Sequence, residues 1–80
     1  MANRRVIKDF YGKILGSVEE DSRGDITAKD FFGKILGRYD KKMNVTKDFF
    51  GKIIGTGDLT SALIFQANAE REAQLKSINK

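Results

Sequence analysis

The chain has no cysteine and no histidine in its 80 residues. Without cysteine no disulfide can reinforce the fold, and without either residue type thiolate and imidazole metal sites are excluded, a structural zinc site among them. Eighty residues make one domain near the size at which a single core is only just sufficient. Oligomerisation is then the remaining source of stability, so composition alone favours a homo-oligomer.

Long apolar runs are also missing. The longest is Ala62–Phe65, far short of the roughly 20 residues that a membrane span requires. The basic start, Met1-Ala2-Asn3-Arg4-Arg5, leads into charged Lys8-Asp9 where a secretory leader would turn apolar. A soluble, cytoplasmic protein with no membrane partner is the expectation. The formal net charge of +4 permits an anionic partner without requiring one.

What is present is a repeat. Three units, KDFYGKILG, KDFFGKILG and KDFFGKIIG, occupy 8–16, 29–37 and 47–55, starting 21 and then 18 residues apart. Such dense internal similarity marks structural repetition. Within each unit, Asp-x-x-Gly has turn chemistry. Aspartate at the first position of a type I turn accepts backbone N–H bonds from residues further on, and glycine at the fourth takes the left-handed conformation that closes a three-residue hairpin with a bulge. Asp9, Gly12, Asp30, Gly33, Asp48 and Gly51 are therefore structural turn residues. Branched residues flank the turns, as strands prefer. A helix would lose about 1 kcal/mol at each interior glycine.

The expected fold is mainly β: a three-repeat antiparallel meander of six strands near 4–9, 13–19, 25–30, 34–39, 44–48 and 52–56, followed by one C-terminal α-helix. The repeat sheet fills 1–57. Segment 58–80 opens with N-cap candidates at Asp58-Leu59-Thr60-Ser61 and reads as a helix over 59–77 that packs on the sheet and projects, with Glu70, Arg71, Glu72 and Lys76 facing solvent. A meander gathers the three aromatic turns at one end and the two polar connections at the other. If Gly12 is the bulge, Asp9 faces Lys13, Lys8 faces Ile14, Ile7 faces Leu15 and Val6 faces Gly16. Alternation then puts Ile7, Leu15, Ile26, Ala28, Leu36 and Ile54 under the helix. The other face takes Lys8, Lys29 and Lys47, with Val18 and the glycines 16, 37 and 55.

Aromatic pairs fill the middle of each turn, where polar residues are usual. The first rings, Phe10, Phe31 and Phe49, are expected to fold over neighbouring turns as a satellite core. The second rings, Tyr11, Phe32 and Phe50, are candidates for contact with a partner or ligand. Lys13, Lys34 and Lys52 face the turn aspartates as exposed pairs of little energetic weight. Lys8, Lys29 and Lys47 have no assigned partner and form a row near the aromatic end, which with stacking rings would suit an anionic small ligand.

Glu19-Glu20-Asp21 with Asp25 lacks the ligand order of an EF-hand and reads as a polar turn. No P-loop or dinucleotide fingerprint occurs, and no cofactor is implied. Catalysis would have to rest on Asp, Glu, Lys, Tyr, Ser or Thr. The distinctive residues occur in triplicate, whereas a catalytic site needs different groups placed asymmetrically. The chain reads as no enzyme.

The unit wording, together with Arg38-Tyr39-Asp40, Asn44-Val45-Thr46 and Gly57-Asp58-Leu59 before an apolar segment, resembles small bacterial and phage Asp-x-x-Gly hairpin-repeat proteins over residues 6–65. More loosely it is similar to YD-type hairpin repeats, which place polar residues where this chain carries Phe-Phe. The resemblance implies a β-repeat fold in a bacterial or phage setting and supplies no activity. The function expected is a non-catalytic β-repeat assembly or protein-interaction module that self-associates. The alternative is a phage-type inhibitor or sponge binding a nucleotide-like anion through the lysine row. Nucleic-acid binding ranks third.

Overall fold

The computed structural model describes residues 3–78. Met1, Ala2, Asn79, Lys80 and the solvent-facing side chain expected of Lys76 lie outside what is described. Strands β1 (Asn3–Lys8), β2 (Ile14–Glu20), β3 (Ile26–Asp30), β4 (Ile35–Asp40), β5 (Val45–Asp48) and β6 (Ile53–Thr56) precede one helix, α1 (Thr60–Ile78). The sheet is an antiparallel meander in sequence order, with β1 and β6 at its edges. No helix among the described residues is long and apolar enough to cross a membrane.

Turn chemistry explains the connections. In the first hairpin Asp9 N–H donates to the Lys13 carbonyl (2.9 Å) and Gly12 N–H to the Asp9 carbonyl (3.1 Å), and the same pair of bonds closes 30–34 and 48–52. A fourth copy of this turn joins β2 to β3: Asp21-Ser22-Arg23-Gly24 makes the same bonds with polar residues in the middle. Between β4 and β5, Asn44 takes the left-handed conformation (φ 56°). The Asp40 carboxylate accepts the Met43 N–H there.

The register departs from simple alternation. Lys8 pairs with Ile14 as expected, but Ile7 pairs with Gly16 and Val6 with Ser17. Leu15 is therefore an extra residue, a second bulge three positions past the turn. Leu36 and Ile54 repeat it, since Ala28 pairs with Gly37 and Thr46 with Gly55. One extra residue flips every later side chain to the opposite face. That physical step corrects the expected faces: Val18 joins the core, and Gly16, Gly37 and Gly55 lie beneath the helix.

The buried apolar side chains are Ile7, Leu15, Val18, Ala28, Leu63 and Ile64, with Ile26 and Leu36 packed beside them. Ile54, expected under the helix, is exposed because α1 rests mainly on β2, β3 and β4, and over β6 only Leu59 at the helix start reaches the sheet, at Gly55. Leu59 sits over Gly55, Leu63 over Gly37 and Ile64 over Gly16. In a flat sheet β2 and β6 stand about 19 Å apart, whereas Leu59 and Ile64 are separated by only ~7.5 Å of helix rise. The sheet must therefore curl around the first turns of α1. The curl stops short of closure, so both edges stay free.

The buried Thr46 hydroxyl ties the helix start to the sheet. It donates to the Gly57 carbonyl (2.7 Å) and accepts the Leu59 N–H (2.9 Å). The Asp58 carboxylate then caps the helix by accepting both the N–H (3.0 Å) and the hydroxyl (2.6 Å) of Thr60. Nineteen residues make α1, about 28 Å long. From Ala69 to Leu75 none of its residues is buried, and its last turns overhang the aromatic end of the sheet.

Candidate interaction surface

Each aromatic turn is locked from within. The Asp9 carboxylate accepts the N–H groups of Tyr11 and Lys13, Asp30 those of Phe32 and Lys34, and Asp48 those of Phe50 and Lys52, all at 2.9 Å. These bonds hold the middle backbone fixed while leaving both middle side chains outside the sheet. Within each pair the rings meet edge to face, with centroids 5.4–5.5 Å apart.

The expected satellite core is absent among the described residues: rings pair within a turn and not across turns. All six turn aromatics are exposed, from 55% at Phe31 to 95% at Phe10. Phe31 and Phe49 are the least exposed because α1 passes between the second and third turns. It leaves a groove of about 300 Å³ beside Phe31-Phe32 and one of about 310 Å³ beside Phe49-Phe50. The first turn is the one whose two rings are both at least 90% exposed, Phe10 at 95% and Tyr11 at 90%.

Arg71 is the helix residue that meets the aromatic end, and the sequence reading placed it in solvent. Its guanidinium carbon stands 5.8 Å from the Phe31 ring centre and 5.6 Å from that of Phe32, within cation–π range. Its Nη2 donates to Asn68 Oδ1 at 3.5 Å, while its buried Nε has no partner among the described residues. Spacing held the missed signal, because Leu59, Leu63, Ala67 and Arg71 recur every four residues on the sheet-facing ridge.

The lysines are arranged differently from expectation. Among the described residues no ion pair joins Asp9 to Lys13, Asp30 to Lys34 or Asp48 to Lys52; those carboxylates serve the turn backbone instead. Lys29, expected to lack a partner, pairs with Glu19 at 3.3 Å. Lys8, Lys29 and Lys47 stand opposite Ile14, Ile35 and Ile53 on the open face. Each hairpin is offset from the last by two strand positions, since Ser17 pairs with Lys29 and Arg38 with Lys47. Successive lysines are thus on the order of 12 Å apart, along the outside of the curl. They suit separate contacts more than convergence on one phosphate.

No group of three or more Asp or Glu among the described residues forms a cluster able to hold a metal ion. Compared with known proteins, the chain matches no family model, no curated protein and no solved structure.

Proposed function

We propose that this chain is a cytoplasmic, non-catalytic β-repeat assembly and protein-interaction module that self-associates. The observation that carries the reading is the exposure of all six turn aromatics. At roughly 150–250 Å² per ring they present on the order of 700–1,100 Å² of aromatic surface in total, spread over three turns. Their backbone is fixed by the turn aspartates, so the rings cannot be tucked away without breaking the hairpins. The triplicate arrangement suits repeated contacts and offers no asymmetric set of reacting groups. Light scattering of the purified protein over a concentration series tests this. A mass rising above 9.0 kDa is expected, and a strict monomer at high micromolar concentration would sink the reading.

A further inference from the structure

Total exposed area says how much of this surface needs covering. The chain exposes 5939 Å², whereas a folded monomer of 9.0 kDa exposes about 4,850 Å². The excess, roughly 1,100 Å², exceeds the ~800 Å² that each partner buries in a standard-size interface. One chain thus carries enough surplus surface for one stable contact with another.

Two surfaces compete for that contact, and charge separates them. The open face of the sheet carries Val6, Ile14, Ile35 and Ile53 among Arg4, Lys8, Lys29, Arg38 and Lys47, against Glu19 and Asp40. Stacked on its own copy, that face opposes cations to cations, which is costly. The aromatic end carries Asp9, Asp30, Asp48 and Glu70 against Lys13, Lys34, Lys52 and Arg71, a balanced set. Like can meet like there without net repulsion. Within the aromatic end the burial is uneven. The chain's own helix partly shields Phe31 and Phe49, the first rings of the second and third turns, while the first turn has both its rings at least 90% exposed. Meanwhile Leu75, one turn beyond Arg71 on the same ridge of α1, is exposed on the overhang.

We infer that a second copy of this chain docks on the aromatic end, the overhang of each α1 covering the Phe10-Tyr11 turn of the other about a two-fold axis. This rests on the self-association proposed above and names its surface. A two-fold contact uses the same patch on both copies. Here one patch supplies both the uncovered rings and the uncovered helix face.

The absence of native cysteine gives a clean trap. Tyr11→Cys and Leu75→Cys are made as separate variants, mixed, and oxidised, so that a disulfide between them can only join two copies. A covalent heterodimer as the main product is expected, with Ile14→Cys mixed with Ile53→Cys, on the open face, remaining uncoupled. In parallel, Phe10→Ser with Tyr11→Ser should raise the dimer dissociation constant at least tenfold. The fold should persist, because Ser22-Arg23 already occupies the middle of an identical turn, and circular dichroism checks that it does. Self-association with no Tyr11–Leu75 product, or unchanged by the serine pair, overturns this interface and leaves the reading of self-association standing. A chain monomeric at every concentration overturns both.

Discussion

Leu63 rests directly on Gly37: a methyl group at Gly37 would sit 2.8 Å from Leu63 Cδ1 and collide with the Lys47 carbonyl oxygen. The second glycine of the repeat unit is therefore a seat for the helix. It differs in kind from the turn glycine of the same unit, Gly33, which has open space around it but a φ of +85°.

Two glycines four residues apart should then fail for different reasons. Gly37→Ala forces the helix off the sheet and should cost about 1–3 kcal/mol through overpacking. Gly33→Ala should cost about 1–2 kcal/mol through left-handed strain alone. Asparagine distinguishes them, since it tolerates the left-handed region and should recover stability at 33 but not at 37. Urea unfolding of the four variants measures this, and equal recovery at both sites would contradict the assignment.

Thr46 has the same logic in polar form. Thr46→Val keeps the shape but strands the Gly57 carbonyl and the Leu59 N–H, for a cost of roughly 1–3 kcal/mol. Thr46→Ser keeps the hydroxyl and should be the milder change. Thermal melts check the order, and a valine variant as stable as wild type would show that the hydroxyl does not anchor the helix.

Asp21 makes stability depend on pH. Desolvation pushes its carboxyl up, but the N–H groups of Arg23 and Asp25 and the Arg23 guanidinium together outweigh this and hold it below the ordinary carboxylate value. A carboxylate held low in the folded state stabilises above its unfolded pKa, about 3.9, and the contribution is lost as pH falls through the lowered folded value. Asp21→Asn retains an acceptor oxygen and removes the charge. The melting-temperature gap between wild type and this variant should be constant at neutral pH and shrink below about pH 4. A gap that stays constant to pH 2 would count against the assignment.

Much of the fold was legible because the turn chemistry is local. Asp9, Asp30 and Asp48 each act within four residues of themselves, so Asp-x-x-Gly names the hairpin end wherever it occurs. The six strands and the helix fall within one or two residues of where their flanking residues put them. Asp21–Gly24 was the same signal without aromatics, legible in principle and masked by its polar middle.

The faces were a different matter. The second bulge at Leu15, Leu36 and Ile54 is marked locally only by two adjacent apolar residues and a following glycine, which a plain strand also accommodates. The site followed suit: Tyr11, Phe32 and Phe50 are exposed as the turn chemistry implies, but Phe10, Phe31 and Phe49 are exposed too. Whether a ring finds cover depends on where the helix runs.

By itself, then, the sequence determined the three equivalent aromatic hairpins, their gathering at one end of a meander and the helix that follows. Turn bonds and strand preference are short-range, and each repeat carries its own. Only the tertiary structure decided that Gly16, Gly37 and Gly55 form the bed of the helix, that Arg71 meets Phe31 and Phe32, and that Phe10-Tyr11 is left bare. Those outcomes depend on how far the sheet curls and where a 19-residue helix leaves it, and no single repeat contains that information.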